Sequence, residues 1–359
     1  MNKRNYLGLA SIKGIGYERL IKLITIFAGI DDLTKLDEKK LTELKLPVEF
    51  LYSIKNINWR EIDLMLSWEK TSINNYLITL MDEKYPQILK HIPDPPMMLF
   101  AIGDIKLLEK PSIAIVGSRR ASSQGLENSY NFSLALARKG YAIISGLAQG
   151  IDTQAHLGAL AVHGATIAVM GTGINKVYPY QNRNLAESIK NHGLLLSELP
   201  LDSKPMPYNF PKRNRIISGL SLGVLIVEAS LKSGSLITAR LGLEQGKEIF
   251  ALPSSVHNPL AKGCHSLIKQ GAKLIESIKD IEDEFPIQTQ DDLANSEQLI
   301  AKGLDTNLQN LVKFIGYETT PLHSIMNSSG LKPPQLNYNL VELELKGLVR
   351  SVLGGYMRI

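Results

Sequence analysis

The spacing of apolar residues changes twice along this chain of 359 residues. Near its start, Leu20, Leu23, Ile24 and Phe27 recur at the spacing of one helix face, which predicts a helical region over residues 1–75. Farther along, short continuous apolar runs alternate with amphipathic segments, and helical spacing returns in the last sixty residues or so. The pattern therefore predicts three successive structural regions.

The middle region carries the pattern of buried strands that alternate with helices. The predicted strands are SIAIVGS at 112–118, YAIISGLA at 141–148, ATIAVMGTG at 165–173, LLLSELP at 194–200, GVLIVEA at 223–229 and EIFALP at 248–253. The predicted helices span 127–140, 151–164, 185–193 and 235–247, and the segment 266–275 closes the set. Apolar strands without a two-residue alternation are buried on both faces, which indicates a parallel sheet between helices. We therefore expect an α/β fold with a Rossmann-like, doubly wound parallel sheet.

Changes in composition set the domain boundaries that we expect before this sheet. Residues 1–75 are predicted to be a helical domain of the helix–hairpin–helix or SAM-like kind. Its Gly14 and Gly16 would let the backbone approach a phosphate, although a plain helix–turn–helix fits the same residues. Residues 76–279 are predicted to be the extended Rossmann-like domain. Successive prolines in the segment 76–110 predict an extended strap rather than a helix there.

The remainder of the chain is predicted to be a linker followed by a small domain. Residues 280–299 contain no Lys or Arg and many acidic residues, which predicts a solvated acidic linker. Residues 300–359 have the order helix, helix–turn–helix and hairpin, which is typical of a winged-helix domain. We expect Thr320 to cap the helix that begins the helix–turn–helix, and the hairpin to turn at Gly354–Gly355.

The helix predicted over PPQLNYNLVELELKG leaves the use of the winged helix open. This helix would read DNA in a winged-helix protein, yet it carries Glu342 and Glu344 against Lys346 alone. Duplex DNA binding and a structural or protein-contact role are therefore equally compatible with its sequence.

Overall composition limits the class of protein. The formal net charge is +5, which permits a nucleic acid as partner without requiring one. The single cysteine, Cys264, excludes an internal disulfide and fits a reducing compartment. The N-terminal sequence lacks the pattern of a signal peptide, and no apolar run approaches the ~20 residues that span a bilayer. We therefore expect a cytoplasmic protein without a membrane partner.

Residues that suit an anion follow the first predicted strand. In an open parallel sheet, ligands bind where the carboxyl ends of strands meet helix N-termini. Gly117, Ser118, Arg119 and Arg120 combine a close backbone approach, a hydroxyl and two cations at such a position. A phosphate site is favoured over a simple glycine turn with solvent-facing arginines.

The second strand end carries Ser145 and Gly146, followed by Asp152 and His156 four residues apart on one helix face. A catalytic interpretation pairs Asp152 and His156 as acid and base. A structural interpretation has Asp152 capping its helix and His156 bonded to a neighbouring loop, and we favour it. No second His or Cys stands at metal-ligand spacing, so no metal site is expected.

The third strand end offers a further candidate phosphate cradle. It contains Gly171, Thr172, Gly173 and Arg183. Tyr178 and Tyr180 alternate with cations here, which suits a single strand whose bases stack while its phosphates pair. Two tyrosines that pack an ordinary loop fit this segment equally well.

The fourth candidate is the segment FPKRNRIISGLS at 210–221, before the strand GVLIVEA. With the preceding Lys204, it provides Phe210, Lys212, Arg213, Asn214 and Arg215. The ring of Phe210 can face a base, and the cations suit a phosphate backbone. Ser233, Gly234 and Ser235 then open a helix with a donor-rich N-terminus.

Four donor-rich strand ends with cations indicate that the protein holds a phosphate backbone. The sequence contains no Ser–His–Asp set, no Walker lysine and no metal cage. We therefore expect a protein that binds single-stranded DNA and needs no cofactor or metal, and an ATPase role is poorly supported.

The assembled motifs resemble the DNA-processing protein A family, also called DprA or Smf. The shared segments run from Tyr85 to Ala272 and are, in order, YP…DPP…G, IVGSR, SGLAQGID…AH, GTG…YP, SELP, FPKRNRIISGLS, VEA…SGSLITA and LIKQGA. The chain departs from the family pattern at Ser254, where many members have Gly, and at His265, where Asn is frequent.

The resemblance implies a recombination mediator that is not an enzyme and that binds incoming single-stranded DNA during natural transformation. Such a protein protects the strand and loads RecA recombinase, displacing or sharing the strand with single-strand-binding protein. The resemblance also places DNA-holding residues at Gly117, Ser118, Arg119 and the segment 210–215. It implies a homodimer, with contacts that include Leu267, Ile268, Leu274 and Ile275.

Two other functions remain open from the sequence. Related Rossmann folds cleave nucleotide phosphoribosyl bonds, and SGSLITARLGLE, with Thr238 and Glu244, partly matches their signature, although its glycines are missing. A regulator that binds duplex DNA through residues 300–359 is the other alternative.

Overall fold

The computed structural model describes residues 2–12, 14–27, 39, 43, 49–287, 306–316, 319–346, 348–352 and 354–358. The chain divides into two compact units, residues 1–287 and residues 288–359, and each is described by itself. The predicted helical positions between residues 28 and 48, apart from 39 and 43, lie outside the described residues, as does the linker from residue 288 onward.

The strands of the first unit form one mixed sheet. In the described part of this unit they are β1 (Asn75–Thr79), β2 (Met98–Gly103), β3 (Ser112–Val116), β4 (Ala142–Ser145), β5 (Thr166–Val169), β6 (Leu194–Ser197), β7 (Gly223–Ile226), β8 (Glu248–Ala251) and β9 (Lys273–Leu274). Their spatial order is β1-β2-β6-β5-β4-β3-β7-β8-β9. From β6 to β9 all neighbours are parallel, and chain order runs outward from β3 on both sides. This order confirms the doubly wound prediction, and it places the switch point between β3 and β7.

Helices cover both faces of this sheet. Those of the first unit are α1 (Lys3–Ala10), α2 (Tyr17–Ile26), α3 (Glu49–Lys55), α4 (Trp59–Glu69), α5 (Gln87–Lys90), α6 (Ser123–Arg138), α7 (Ile151–Leu160), α8 (Arg183–His192), α9 (Asn209–Leu220), α10 (Ser235–Glu244), α11 (Lys262–Lys269) and α12 (Lys279–Glu282). Successive side chains of β3 point to opposite faces of the sheet. Ile113 and Ile115 join the core under α6 and α7, whereas Ala114 and Val116 join the core under α9 and α10. Burial on both faces explains the unbroken apolar runs.

The proline-rich segment 76–110 does not form the simple strap that its sequence predicts. It contains β2 and most of β1, which pair antiparallel with each other, and β2 also pairs antiparallel with β6. The prolines at 93, 95 and 96 lie between these strands, where no ladder hydrogen bond is needed. The segment therefore extends the parallel sheet by an antiparallel edge.

The predicted boundary at residue 75 does not separate two hydrophobic cores. Tyr6, Leu20 and Ile62 from the N-terminal helices share one core with Leu77 and Phe100 from the edge strands. The hydroxyl of Tyr6 also donates a hydrogen bond of 2.7 Å to the carbonyl oxygen of Met97. The described N-terminal helices therefore pack as part of the sheet unit.

The start of the predicted acidic linker is also part of the first unit. Ile281, in α12, is completely buried, and Phe285 packs edge-on against Phe250 at 6.2 Å between ring centroids. The hydroxyl of Tyr141 donates a hydrogen bond to the carbonyl oxygen of Phe285. The prediction of a solvated linker was wrong for residues 280–287, because apolar side chains every few residues anchor them to the sheet unit.

The second unit has the predicted winged-helix order. Its described elements are α13 (Thr306–Val312), α14 (Leu322–Ser329), α15 (Pro333–Leu345), β10 (Val349–Val352) and β11 (Gly355–Arg358). Leu311, Ile325, Leu340 and Val349 contribute to a separate core. β10 and β11 form an antiparallel hairpin, and Gly354, with φ of +96°, lies in its turn.

Thr320 does not cap α14 as predicted, because Pro321 occupies the N-cap position. Instead, Thr320 pairs with Tyr356 of β11 in an antiparallel bridge. The side-chain hydroxyl of Thr320 accepts a 2.9 Å hydrogen bond from the amide of Gly316. The residue thus joins the helical part of the unit to its hairpin.

Among the residues described, no helix combines the length and apolar character required to cross a membrane.

Candidate functional site

A cavity of about 580 Å³ lies at the carboxyl ends of the central strands. We call it the switch-point cavity. Its lining is Val116, Gly117, Ser118, Arg119, Ala148, Asp152, Tyr178, Pro207, Phe210, Pro211, Arg213, Asn214, Ile217, Ser233, Gly234, Ser235, Ile237 and Thr238. Most of these residues lie at or after the ends of β3, β4, β5 and β7 or belong to α7, α9 and α10, so the topology brings together parts of all four predicted strand ends.

Gly117 is required where the chain leaves β3. A Cβ atom there would lie 2.6 Å from Cγ1 of Ile151 and 2.9 Å from the carbonyl oxygen of Glu228. The amide of the next residue, Ser118, donates a 2.8 Å hydrogen bond to that same oxygen. The turn that carries Arg119 is thus pressed between the end of β7 and the start of α7.

The buried carboxylate of Glu228 holds this turn in place. It accepts hydrogen bonds from the amide of Ser122 at 2.9 Å and from its hydroxyl at 2.5 Å. The side-chain amide of Asn258 donates to it at 3.1 Å. Ser122 in turn caps α6 through the amide of Gly125. Sequence reasoning missed this role, because only the fold brings positions 122, 228 and 258 together.

Aromatic and cationic side chains meet at the mouth of the cavity. The guanidinium of Arg119 lies 5.6 Å from the centre of the Phe210 ring, and the Tyr178 ring lies 5.6 Å from it. A Cβ atom on Gly171 would lie 2.6 Å from the same ring, so Gly171 is what lets Phe210 sit there. Arg119 is exposed and forms no salt bridge with any described residue. Its charge is therefore available to a ligand.

Arg213 is part of the interior and not of an exposed rim. Its Nη1 donates a 2.6 Å hydrogen bond to the carbonyl oxygen of Gly146 and another to that of Val169. Burial lowers the pKa of Arg213 to about 10, although the nearby Asp152 carboxylate opposes the effect. Because Arg213 bonds the ends of two strands, we expect a substitution that reverses its charge to destabilise the fold as well as the site.

Arg215 is likewise committed to the protein. Its Nη2 lies 2.6 Å from the Glu198 carboxylate, and its Nε lies 3.1 Å from that of Asp94. Arg215 does not line the switch-point cavity. Lys212 is exposed, and its Nζ lies 3.9 Å from the Glu198 carboxylate. Of the three clustered cations, only Lys212 projects into solvent.

Three of the predicted site residues are engaged with the protein's own backbone. The Ser145 hydroxyl donates a 2.7 Å hydrogen bond to the carbonyl oxygen of Ile115, and that of Thr172 donates to the carbonyl oxygen of Lys176. Gly173 is packed against the backbone of Pro200, from which a Cβ atom would be only 2.2 Å. These residues shape the loops and do not line the cavity.

In addition to Lys212 and Arg215, three predicted cations lie outside the cavity lining, namely Arg120, Arg183 and Lys204. All three are exposed. The guanidinium of Arg183 lies 4.8 Å from the ring centre of Tyr180 and donates to its hydroxyl. They can add long-range attraction for a polyanion without belonging to the cavity.

The segment Ser233–Ser235 provides donors on the other side of the cavity. The two serine hydroxyl oxygens are 2.7 Å apart, and Gly234 has open space where a side chain would be. The N-terminus of the ten-residue helix α10 follows directly. Its partial positive charge favours an anion at this position.

Asp152 and His156 do not form the acid–base pair that one interpretation proposed. His156 is completely buried, and its Nδ1 lies 2.7 Å from the Thr166 hydroxyl. Burial, aided by the charge of Arg213, lowers the pKa of His156 to about 3. Asp152, in contrast, lines the cavity, and burial raises the pKa of its carboxyl.

Among the described residues, no group of three or more His, Cys, Asp or Glu side chains is arranged to hold a metal ion.

The predicted dimer residues differ in their accessibility. Leu274 is 44 % exposed, and Leu267 and Ile268 are partly buried against the core. Ile275 is completely buried inside the first unit. Its predicted contact with a partner was wrong, because its side chain fills the core beneath β8 and β9.

Two family models match this chain. The model described as DNA recombination-mediator protein A matches residues 76–286, and the model described as DprA winged helix domain matches residues 296–355. The first match alone covers more than half of the chain. The resemblance seen in the sequence motifs is therefore confirmed.

Relatives with curated names are similar over most of their length. Protein Smf from Escherichia coli is 42% identical over 305 residues, which cover 84% of this chain and 81% of that protein. The DNA processing protein DprA from Bacillus subtilis is 43% identical over 251 residues, which cover 70% of this chain and 82% of that protein.

Two solved structures are similar in both fold and sequence. DNA processing protein A from Streptococcus pneumoniae matches with a TM-score of 0.68 at 36% identity, over 80% of this chain and 100% of that one. Its counterpart from Helicobacter pylori, whose structure is described by its single-stranded DNA binding mode, matches with a TM-score of 0.53 at 33% identity. That match covers 58% of this chain and 94% of the other.

The buried His156 predicts a pH dependence of stability. Since its pKa is about 3 when folded and about 6.5 when unfolded, the unfolded state binds the extra proton between these values. The free energy of unfolding should then fall as the pH falls below about 6.5, by up to ~1.4 kcal/mol per pH unit from this group. Urea unfolding at a series of pH values gives the free energy of unfolding as a function of pH. Below about pH 6.5 this free energy should fall less steeply for His156→Gln than for the wild type. Equal pH dependence in the two proteins would contradict the lowered pKa of His156.

Arg213 and Arg119 should differ sharply in their effect on stability. Arg213→Gln leaves two carbonyl oxygens without their charged donor, and we expect a loss of about 3 kcal/mol or more in the free energy of unfolding. Arg119→Gln, at an exposed position, should change it by less than about 0.5 kcal/mol. Urea midpoints of the two variants test this expectation, and similar midpoints would show that Arg213 does not support the strand ends.

Proposed function

This chain belongs to the DNA recombination-mediator protein A family, and from that membership we propose that its first unit binds single-stranded DNA across the mouth of the switch-point cavity. The observation that carries the proposal is the combination found there: an exposed arginine, two aromatic rings and a helix N-terminus around one opening. Single-strand binding proteins combine a cationic groove with stacking side chains in this way. The related protein from Helicobacter pylori is described by its single-stranded DNA binding mode, which supports the same ligand class.

The phosphate backbone would be held on the turn after β3 and at the start of α10. Arg119 offers a charge that no described carboxylate neutralises, and Ser118 offers a hydroxyl beside it. Ser233 and Ser235 offer hydroxyls where the helix dipole favours an anion. These contacts are independent of base identity, so the strand would be bound with little regard to most of its sequence.

The bases would stack at the mouth on Phe210 and Tyr178. Base stacking on an aromatic ring contributes about 1–3 kcal/mol per base and tolerates any base. Phe210 is fixed against Gly171, and Tyr178 lies tilted beside it. A platform held rigid before binding loses little entropy when the strand arrives.

The bound strand would leave chemically unchanged. His156 is buried away from the cavity, and among the residues that the structure describes no basic side chain pairs with Asp152 as a general acid and base would. We propose that the protein protects incoming strands and passes them to RecA recombinase during natural transformation. As it does so, it would share the strand with single-strand-binding protein or displace that protein from the strand.

We further propose that the protein acts as a homodimer. Leu236, Leu243 and Leu267 line a groove between α10 and α11 on the first unit, and Leu274 is exposed on β9. An exposed apolar patch is typical of a contact with another protein.

The winged-helix unit favours contact with a protein over duplex DNA. On α15, Tyr338, Val341 and Leu345 are 71%, 51% and 84% exposed and lie on one helix face. Glu342 lies on the same helix, where duplex binding would require cations. The alternative of a duplex regulator therefore has less support than the strand mediator.

Removal of the Arg119 charge tests the proposed strand site. Arg119→Gln should bind a short oligothymidylate at least about tenfold more weakly, because one charge-assisted contact is lost. The slope of log affinity against log salt concentration should become about 0.7 less steep. Fluorescence anisotropy across a salt series measures both quantities.

A matched control is Arg138→Gln, since Arg138 is exposed at the opposite end of α6 from the site. It should leave affinity and slope close to those of the wild type. A chain that ends at residue 287 should also retain strand binding. Loss of binding with that deletion, or unchanged binding in Arg119→Gln, would contradict the proposed site.

Leu274→Glu tests the proposed dimer. A charge on this exposed leucine should shift the protein from dimer to monomer in sedimentation equilibrium, while its unfolding midpoint stays close to that of the wild type. Leu64→Glu is the control, because Leu64 is 58% exposed on α4, away from the predicted contact. A wild-type monomer, or a dimer that persists in Leu274→Glu, would contradict the prediction.

A further inference from the structure

One buried asparagine joins two of the loops that border the switch-point cavity. Asn182 ends the 3₁₀ turn Tyr180–Asn182, directly before α8, and is 7% exposed. Its Nδ2 donates hydrogen bonds to the carbonyl oxygens of Leu147 at 2.8 Å and Ala148 at 3.3 Å, and to the hydroxyl of Thr153 at 3.0 Å. Since all three neighbours present an oxygen, only the donor end of the side-chain amide fits there.

The loop that receives these hydrogen bonds has a backbone shape that depends on its contacts. We call residues 146–150 the β4–α7 loop. Leu147 has a φ of 57° and is completely buried, and a positive φ is costly for a leucine. The hydroxyl of Thr153 donates a 2.7 Å hydrogen bond to the carbonyl oxygen of Ala148. Asn182 and Thr153 together hold the carbonyl groups of this loop in place.

The β4–α7 loop lies against the turn that carries Arg119. The amide of Ile151, the first residue after the loop, donates a 3.2 Å hydrogen bond to the carbonyl oxygen of Ser118. A Cβ atom on Gly150 would lie 2.3 Å from that oxygen and 2.8 Å from the carbonyl oxygen of Arg119. Because the two backbones are in contact, the position of the loop sets the position of Arg119.

Asn182 is also tied to the aromatic side of the cavity mouth. Its backbone amide donates a 3.0 Å hydrogen bond to the carbonyl oxygen of Pro179, which follows Tyr178 in the chain. A small cavity of about 60 Å³ has Arg119, Tyr178 and Ala148 in its lining. The turn, the aromatic segment and the β4–α7 loop therefore meet at one place, and Asn182 bonds two of them directly.

We infer that Asn182 is a positioning residue that fixes the distance between Tyr178, on which a base stacks, and Arg119, which holds a phosphate. This inference rests on the proposed function. It adds a side chain outside the cavity lining that makes the two contacts act together on one strand.

The physical reason is that two contacts on a rigid frame assist each other. Once a base has stacked on Tyr178, the neighbouring phosphate is already near Arg119, and the second contact costs little additional entropy. In Asn182→Ala, three acceptors lose their donor and the positive φ of Leu147 loses a support. The loop can then relax, so that a stacked strand reaches Arg119 in only part of the complexes.

The test is a double-mutant cycle on the full-length protein with a short oligothymidylate, measured by fluorescence anisotropy. Asn182→Ala should bind about fivefold more weakly than the wild type, although its side chain does not line the site. Arg119→Gln, which costs the wild type at least about tenfold, should cost the Asn182→Ala protein only about threefold. A purely structural role of Asn182 would leave the factor for Arg119→Gln the same in both backgrounds.

The salt dependence gives a second readout that a structural role would not move. The slope of log affinity against log salt concentration should become shallower in Asn182→Ala, by up to about the 0.7 that one phosphate contact contributes. Arg119 is still present in that variant, so a shallower slope would report that its charge no longer meets the phosphate.

A matched control is Asn184→Ala, since Asn184 is exposed on α8 two residues farther along the chain. It should bind as the wild type does and show the full loss with Arg119→Gln. Thr153→Val is a second variant, which removes one acceptor of Asn182 and the hydroxyl bond to Ala148 while keeping the side-chain shape. It should reduce the factor for Arg119→Gln in the same direction, and urea unfolding shows which variants are folded.

The outcomes separate this inference from the proposed function. Wild-type affinity and slope in a folded Asn182→Ala, or equal factors for Arg119→Gln in both backgrounds, would overturn the role of Asn182 and leave the strand site standing. If Asn182→Ala does not fold, the same comparison with Thr153→Val decides. A wild type that does not bind the strand, or an Arg119→Gln protein that binds as tightly as the wild type, ends both proposals.

Discussion

The buried guanidinium of Arg213 is the interaction on which the site depends. It joins the carbonyl oxygens of Gly146 and Val169, which stand at the ends of β4 and β5. Gly146 has no Cβ atom, and one would lie 2.4 Å from this guanidinium. The loop that follows includes Leu147 at a positive φ of 57°, an uncommon conformation that surrounding contacts must hold. The side chain of Asn182 supplies such a contact through a 2.8 Å hydrogen bond to the Leu147 carbonyl oxygen.

Periodicity in the sequence predicted the central sheet well, because its strands are buried on both faces and contain few polar residues. The same reasoning placed candidate ligands at the strand ends, and the lining of the cavity includes residues from each of them. The edge strands of the sheet and the start of α6 were harder to predict. β2 and most of β1 lie within a proline-rich segment whose local preference is extended backbone, and only the pairing of β2 with β6 joins both strands to the sheet. The start of α6 at Ser123 depends on Ser122 and Glu228, which are distant in sequence.

The clustered cations of FPKRNRIISGLS show why a charge count cannot identify a binding surface. Arg213 stands four residues before Ile217 and seven before Leu220, so helical spacing puts it on the buried face of α9. Lys212 falls on the outward face of the same turn. Arg215 is buried as well, yet its partners Glu198 and Asp94 come from other parts of the chain. Once a segment is known to be helical, its phase separates some structural cations from exposed ones, but the position of a buried counterion requires the fold.

The carboxylate of Glu228 joins three segments that leave the ribosome at different times during synthesis. Its carboxylate binds groups at positions 122 and 258. The turn that carries Arg119 is therefore complete only after synthesis has passed residue 258 and that segment has left the ribosome. A nascent chain that stops earlier already contains Ser122 and Glu228, but it lacks the hydrogen bond from Asn258 to the Glu228 carboxylate. The full set of hydrogen bonds to Glu228 thus forms late in translation, when nearly three quarters of the polypeptide has emerged.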